Sequence, residues 1–358
     1  MDKRINLKMK PIVIATLISL TSSQVLLAGE LSAKDIVTGI TVSGYVQTEV
    51  RYNNDFNDVD SSDIVVDEIN FTIDGQVHKF AKTTLSFKYE EDITPLEVDN
   101  AYLTLSSNSP LYLKAGQLYV PFGNFSTHMV SDSLTHFAET RETAVQLGIK
   151  NGGVYGSIYG FNGINNARNT IDHYGLNLGF SLLTKPYYNI NKHNKNSTPK
   201  SFDMGIGYIS DIGDADSLEG FLTNTVDYDY IDATNVYVNF SYGTFSFMGE
   251  YIAALDNFKS KHIAFNGTGA KIHAYDTEIG LNFNLAGYNT TVAIGYQVTE
   301  EALALQLPES RIIGILSTEI YTNTSLSLEY ALNKDYSEDD GGTGKDSNSV
   351  ILQLAVKF

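Results

Sequence analysis

The amino-acid sequence predicts an all-β fold, namely a transmembrane antiparallel β-barrel of about sixteen strands with no plug domain. Three observations lead to this prediction. Apolar and polar residues alternate with a period of two along most of the chain, which is the pattern of strands with one apolar face. Long and short connections alternate between successive strands. The chain closes on five apolar residues at alternate positions, Val350, Leu352, Leu354, Val356 and Phe358, which is typical of a last strand that ends at a membrane interface.

The composition agrees with long strands and tight turns. The 358 residues include 23 tyrosines, 18 phenylalanines and 29 glycines, but only 7 prolines and no tryptophan. No cysteine is present, which excludes a disulfide framework and a thiolate metal site. The formal net charge of -18 argues against nucleic acid as a partner.

The amino end has the pattern of an export signal. Four basic residues between positions 3 and 10 precede an apolar stretch that ends at Ala28. The alternative is an amino-terminal membrane anchor, which the polar residues 21–24 disfavour. We therefore expect a signal peptide over residues 1–28 and a single barrel over residues 29–358. Beyond the leader no window reaches the ~20 apolar residues of a membrane helix, so spanning the membrane requires a closed barrel.

Strand-like alternation recurs in sixteen segments. The first places Ile40, Val42 and Val46 on one face and Gln47 and Glu49 on the other. An even number of strands brings both ends of the chain to the periplasmic side. The sixteen segments are 39–52, 68–78, 81–90, 98–106, 111–119, 143–150, 153–161, 173–183, 201–210, 234–242, 244–254, 272–285, 288–299, 310–321, 323–332 and 348–358.

The connections between these segments separate by length. Short connections alternate with long, acidic ones. The long connections are 53–63, 120–142, 211–233, 255–271 and 333–347. Outer-membrane barrels have long external loops and short periplasmic turns. The closing strand alone would also fit a soluble β-sandwich, but nothing in that fold requires long and short connections to alternate. One connection breaks the rule, because 184–200 is long and basic and falls on the short side.

The most distinctive motifs lie in the connection 120–142, which is the third external loop, and along residues 153–163. They read P-F-G-N-F-S-T from Pro121, S-D-S-L-T from Ser131, E-T-R-E from Glu139 and G-V-Y-G-S-I-Y-G-F-N-G from Gly153. This segment resembles the plug-less siderophore porins of the legiobactin-receptor type. The residues that match the family motifs are Pro121, Phe122, Gly123, Phe125, Ser131, Asp132, Thr140, Asn162 and Gly163.

The resemblance implies uptake of a ferric siderophore across the outer membrane of a Gram-negative bacterium. Because the ligands of that family are carboxylate-rich anions, we expect fixed positive charge in the lumen. The candidate channel-lining residues, from strand parity or loop position, are Arg51, Lys82, Lys88, Lys114, Asp132, Glu139, Arg141 and Glu142. The alternative is that the cations balance lumen carboxylates on neighbouring strands, or that Arg141 pairs with the acidic residues beside it.

Two other functions stay open at this point. A general or anion-selective diffusion porin is one, because A-G-Q-L-Y-V-P-F-G from Ala115 also resembles the strand end of phosphate-selective porins. An adhesin-like surface barrel is the other. For each we expect outer-membrane lipids and lipopolysaccharide as neighbours, and barrels of this size often form homotrimers.

The sequence gives no indication of catalysis or of a resident cofactor. It contains no G-x-S-x-G elbow, and its seven histidines show neither ligand nor triad spacing. Asp211, Asp214 and Asp216 approach the spacing of a calcium-binding loop but miss it. We therefore expect no enzymatic activity and no metal site.

Overall fold

A computed structural model describes residues 39–163, 171–184, 200–222 and 228–358. Sixteen of the described strands close into one antiparallel barrel in which each strand pairs with its neighbours in sequence. They are β1 (Gly39–Asn54), β2 (Asp60–His78), β3 (Ala81–Glu90), β4 (Thr94–Ser106), β5 (Leu111–Tyr119), β6 (Arg141–Asn151), β7 (Val154–Phe161), β8 (His173–Thr184), β9 (Lys200–Ile209), β10 (Ala233–Tyr242), β11 (Phe245–Ala254), β14 (His273–Leu285), β15 (Tyr288–Glu300), β16 (Ser310–Tyr321), β17 (Thr324–Lys334) and β18 (Asp346–Lys357).

Little of the described chain is helical. The one α-helix, α1 (Asp216–Leu222), and the four short 3-10 helices lie in loops, together with the two-residue strands β12 (Ala264–Phe265) and β13 (Thr268–Gly269). In the part of the chain that the structure describes, no helix has the length and hydrophobicity needed to cross a membrane. The 3-10 helices are Leu134–Ala138, Ile212–Asp214, Leu303–Leu305 and Glu338–Asp340.

The barrel closes by pairing its first strand with its last. Val46 of β1 lies opposite Val356 of β18, and the backbones of Gly44 and Phe358 exchange two hydrogen bonds of 3.0 and 2.9 Å. Closure satisfies the backbone groups that an open sheet edge would leave unpaired in lipid. The predicted fold class and strand number are confirmed, and none of the described residues forms a separate plug domain.

Side-chain alternation divides the wall between lipid and lumen as predicted. On β1, Ile40, Val42 and Val50 project outward, whereas Glu49 is only 2% exposed on the inner side. On β18, Leu352, Leu354 and Val356 face outward. These outward apolar side chains match a hydrocarbon environment, and the inner polar groups find partners across the lumen.

The two ends of the barrel differ in their connections as the sequence predicts. At one end the described turns are short, for example Gly152–Gly153, where both residues have positive φ (58° and 93°), as type I′ hairpin turns require. The other end carries the long loops. The unusual basic connection falls almost entirely outside the described residues, as does the predicted signal peptide.

The strand boundaries differ most between β1 and β2. The sequence predicts a loop over 53–63, but β1 continues to Asn54 and β2 begins at Asp60, and Asp60 accepts hydrogen bonds from Tyr52 and Asn54 (2.8 and 2.9 Å). The pairing register shifts next to Asp67. Such a bulge turns two successive residues toward the same face, so the period-two pattern breaks and hides the start of β2.

Three long loops fold into the lumen and pack together. L3 (120–140), L5 (210–232) and L6 (255–272) contribute buried apolar side chains that pack against the inner wall between β5 and β14. Full burial of one such side chain stabilises the fold by about 1.5–3 kcal/mol. The packed loops are therefore held firmly against the wall, and they fill that side of the lumen. The largest are Phe122, Phe137, Ile212, Leu218, Leu222, Ile231, Phe258, Ile263 and Ile272.

Candidate functional site: a constriction in the barrel lumen

L3 crosses the lumen and is held there by three glutamates on the opposite wall. Glu250 lies on β11, Glu278 on β14 and Glu329 on β17, and all three point inward from the middle of their strands. They are 9%, 0% and 1% exposed. A buried carboxylate is costly unless several donors satisfy it, so each of these side chains requires partners inside the barrel.

Successive segments of L3 supply those partners. Glu250 accepts the backbone N–H groups of Asn124 and Phe125 at 2.7 and 2.8 Å. Glu278 accepts the backbone N–H of His128 at 2.7 Å and the hydroxyl of Thr127.

Glu329 receives the final contacts in this series. It accepts the backbone N–H groups of Val130 and Ser131, at 2.5 and 3.2 Å, as well as the Ser131 hydroxyl. The loop therefore has no regular secondary structure over this stretch, yet its amides are bonded to carboxylates of the wall.

Apolar packing and a hydrogen bond from a cationic side chain also hold L3 against the wall. Met129 packs on Ala293, Ile313 and Ile315, which point into the lumen from β15 and β16. Further along, Arg311 Nη1 donates to the backbone carbonyl of Asp132 at 3.1 Å. L3 thus covers these inward isoleucines, which are 1% and 5% exposed.

The far end of L3 is braced by Arg141. Its guanidinium lies 2.6 Å from Glu97 and 3.5 Å from Asp99, both on β4, and 4.0 Å from Asp216 of α1. The backbone N–H of Asp216 also donates to the carbonyl of Glu139 at 3.0 Å. L3 is thus fixed at this end to both the barrel wall and L5.

Between L3 and the β1–β5 wall the lumen stays open. The space is a cavity of about 740 Å³ lined by β1 to β5, by L3 and by β18. Seven carboxylates and three basic side chains line it. The carboxylates are Glu49, Asp67, Glu68, Glu90, Asp99, Asp132 and Glu139, and the basic side chains are Arg51, Lys88 and His136.

The basic groups of the cavity are already paired. Arg51 contacts Glu49 at 2.6 Å and also Asp67, and Lys88 contacts Glu90 at 3.1 Å. Each cation therefore neutralises carboxylates of its own strand or a neighbouring one. The remaining carboxylates give the cavity an excess of negative charge.

His136 is the titratable group of L3 that faces this cavity. Burial alone would lower its pKa, but Glu139, whose Oε2 lies 3.3 Å from Nε2, and Asp132 outweigh burial and raise the pKa to about 9. The ring also packs edge-on against Phe125, with 5.4 Å between centroids. His136 consequently carries a positive charge at neutral pH.

The structure brings together only part of the predicted channel-lining set. Arg51, Lys88, Asp132 and Glu139 line the cavity. Four predicted residues lie outside its lining. Lys82 pairs with Asp74 at 3.0 Å, and Lys114 lies over the ring of Tyr102 at 5.2 Å. Arg141 is the first residue of β6 and braces the end of L3, and Glu142 follows it in β6.

Most of the residues that carry the sequence resemblance lie in L3. Phe122 is buried in the loop core, and Gly123 and Phe125 have positive φ (83° and 51°). Thr140 bonds the carbonyl of Ala138 at 3.2 Å. The other motif residues are Pro121 at the start of L3, Ser131 and Asp132 in its middle, and Asn162 and Gly163 just after β7.

Sequence reasoning missed the three wall glutamates, and with them His128 and Arg311. The available signal was a lone acidic residue at an inward position among uncharged neighbours, as at Glu250 and Glu329, or a pair of acidic residues on the same face, as at Asp276 and Glu278. Such a residue requires a partner from elsewhere in the chain, but the strand pattern alone does not name that partner.

We predict that Glu278→Gln loosens L3. A glutamine keeps the volume but removes the charge, and hydrogen bonds to a charged group are worth about 1.5–3 kcal/mol. Single-channel recordings should show a larger mean conductance and more open-channel noise than the wild type. Glu309→Gln, which removes a surface partner of Lys334, is the matched control. A Glu278→Gln channel that records like the wild type would contradict the prediction.

We also predict a pH effect through His136. Because folding raises this pKa from about 6.5 to about 9, its ion pairs stabilise folded L3 fully below about pH 6.5 and lose their effect as the pH rises through about 9. Reversal potentials in a KCl gradient should become more cation-selective between pH 7 and pH 10. His136→Gln should show a smaller change, and an equal change in both proteins would refute the assignment.

Comparison with known proteins identifies the family. The family model described as Gram-negative porin matches residues 15–356. A UPF0422 protein of Legionella pneumophila (strain Philadelphia 1) is 27% identical over 365 residues, with 89% of this chain and 66% of the relative covered. A UPF0422 protein of Coxiella burnetii is 25% identical over 320 residues, covering 85% and 66%. The chain thus spans just under two thirds of the length of these relatives.

Solved structures agree on the fold. The anion-selective porin from Comamonas acidovorans superposes with a TM-score of 0.59 at 13% identity, covering 90% of this chain and 100% of that one. OprB of Pseudomonas putida gives a TM-score of 0.59 at 9% identity, covering 89% and 94%. OmpT of Vibrio cholerae, solved in a trimer form, gives 0.54 at 11% identity, covering 90% and 99%. Because the family model spans nearly the whole sequence, this chain belongs to the Gram-negative porin family of bacterial outer-membrane channel proteins, which are not enzymes.

Proposed function

We propose that this porin is a passive channel for small hydrophilic solutes and that its constriction favours cations over anions. The observation that carries the proposal is the charge around the cavity between L3 and β1–β5, where seven carboxylates face three basic groups. Charged walls in a narrow aqueous path concentrate ions of the opposite sign.

The carboxylates of L3 and of the facing wall support the same selectivity. The Asp132 side chain is 75% exposed, and Glu139 and Glu68 line the same space. Screening acts beyond roughly 8–10 Å at physiological ionic strength, so these carboxylates influence an ion that passes within the cavity. Arg51 and Lys88 offer less to a passing anion because each is already paired with neighbouring carboxylates.

Charge reversal at Asp132 tests this selectivity. In planar bilayers we expect the wild type to give a K⁺/Cl⁻ permeability ratio above one, and Asp132→Lys to lower that ratio at least about threefold, because two unit charges change close to the ion path. Asp339→Lys, on the exposed 3-10 helix of the last long loop, serves as the control and should leave the ratio unchanged.

The recording also separates this function from its alternatives. A wild-type ratio below one would favour an anion-selective porin. A folded barrel that passes no ions would instead favour the adhesin-like role.

Uptake of a ferric siderophore is the second function that we propose. It is supported by the sequence resemblance over residues 121–163, and a cavity of about 740 Å³ offers room for a ligand of that class. A carboxylate-rich complex would have to compete with Glu49, Asp67 and Glu90 for Arg51 and Lys88.

Uptake of radioactive iron from several iron-loaded siderophores tests the second function. We expect deletion of the gene to reduce uptake of at least one of them and complementation to restore it. Unchanged uptake of all of them would reject this function and leave the diffusion channel standing.

We also propose that the chain forms a homotrimer. The trimer form of the Vibrio cholerae neighbour supports this, and unheated electrophoresis of the purified protein that shows monomer alone would rule it out.

A further inference from the structure

A histidine and two aspartates meet in a buried cluster outside the constriction. His173 is the first residue of β8, Asp211 immediately precedes the 3-10 helix Ile212–Asp214 in L5, and Asp214 is the last residue of that helix. Their exposed fractions are 2%, 0% and 3%. One ligand atom from each lies within 4.8 Å of the others. The channel functions proposed above use none of these residues.

Two atoms of the cluster lack the partners that buried polar atoms normally have. Among the residues that the structure describes, His173 Nε2 and Asp211 Oδ2 have no hydrogen-bond partner. They face each other at 3.9 Å, which is too long for a hydrogen bond. Buried polar atoms are rarely left in this condition, and an unoccupied ion site is one recognised cause.

The other atom of each side chain is firmly bonded and fixes its orientation. Asp211 Oδ1 accepts the backbone N–H groups of Gly213 and Ile231, at 2.9 and 3.2 Å, and the hydroxyl of Tyr228. His173 Nδ1 is bonded to Asp214 Oδ2. The two unpartnered atoms therefore remain pointed at the same spot.

Packing holds the imidazole ring in place. The ring of Tyr230 lies edge-on to it with 4.4 Å between centroids, and Phe161 lies edge-on at 5.4 Å. Gly163 covers another side, where a Cβ would come within 1.9 Å of the imidazole Cε1. This contact gives a structural reason for glycine at that position of the family motif.

We propose that His173 Nε2 and Asp211 Oδ2 are ligands of a divalent transition-metal cation of the Zn²⁺ class. Imidazole nitrogen together with carboxylate oxygen suits such a cation, whereas Ca²⁺ prefers a set made only of oxygens. Asp214 then acts on the other ring nitrogen as the carboxylate that orients a metal-bound histidine. Asp172, whose Oδ1 lies 3.9 Å from Nε2, is the nearest additional carboxylate.

The geometry requires a small closure of the site. Two ligand atoms at about 2.0–2.1 Å from a tetrahedral Zn²⁺ lie about 3.3 Å apart, so Nε2 and Oδ2 must approach by about 0.6 Å. A side-chain adjustment of this size is smaller than the rotamer changes that commonly accompany binding. Water completes the coordination.

The site connects the start of β8 with L5. The α-helix that follows Asp214 donates its first backbone N–H, from Asp216, to Glu139 of L3 at 3.0 Å. A bound cation would therefore stabilise the part of L5 that braces the end of the constriction loop.

Calorimetric titration of ZnCl₂ into the purified, EDTA-treated protein in detergent tests the proposal. We expect saturable binding of one ion per chain. Asp211→Asn and His173→Gln should each weaken the affinity by more than about tenfold, and Asp214→Asn by about 10–100-fold, the usual effect of losing an orienting partner. Asp339→Asn, an exposed loop carboxylate far along the chain, should bind like the wild type.

Two outcomes would overturn the proposal. One is the absence of saturable binding to the wild type, and the other is equal affinity in the wild type and in variants that keep the heat-modifiable migration of a folded barrel. If the variants fail to fold, X-ray absorption of the zinc-loaded wild type decides. The proposal requires one imidazole nitrogen together with oxygen ligands at about 2.0–2.1 Å, and a shell without imidazole contradicts it.

Discussion

The structure of this porin depends on the hydrogen bonds between backbone amides of L3 and three carboxylates of the barrel wall. Without them, Glu250, Glu278 and Glu329 would be buried charges in the lumen, and residues 124–131 would be a loop with unpaired amides. L3 supplies the N–H donors that the carboxylates need, and the wall supplies the acceptors that the amides need. The result is a loop with little regular structure that nevertheless has a defined position across the channel.

That position divides the lumen into two unequal parts. On one side, L3, L5 and L6 bury their apolar side chains against the inner wall, and Met129 covers the inward isoleucines of β16. On the other side, polar residues of β1 to β5 face an open cavity. The channel function that we propose takes solutes beside L3, along a wall whose basic groups are already paired and whose remaining carboxylates are in excess.

Much of the barrel could be predicted from the sequence because lipid and water impose opposite demands on alternate residues. Val46 and Gln47 are neighbours in sequence but face opposite environments, and this contrast repeats through all sixteen strands. The pattern is lost where both faces of a strand meet similar surroundings or where a bulge shifts it. At Asp67 a bulge turns two acidic residues inward, and at Ile312 and Ile313 both faces are apolar because L3 covers the inner one.

The candidate site was less accessible to sequence reasoning than the fold. Strand parity assigns Arg51, Lys82 and Lys88 to the inner face, but it does not tell how far along the barrel each lies or which carboxylate it meets. Which of these side chains line the open cavity depends on the position of L3. That position is set by Glu250, Glu278 and Glu329, which lie more than a hundred positions from L3 in the sequence. His173 and Asp211 likewise meet only after β8 and L5 have folded.

Hydrogen exchange of the folded protein tests the central claim most directly. Exchange followed by mass spectrometry, with peptides that cover residues 122–132, measures the protection of the L3 amides. The account predicts that the amides of Phe125, His128 and Val130 exchange nearly as slowly as those of β14, because carboxylates of the wall accept their hydrogens. Exchange at the rate of unprotected amides, while the barrel strands stay protected, would contradict it.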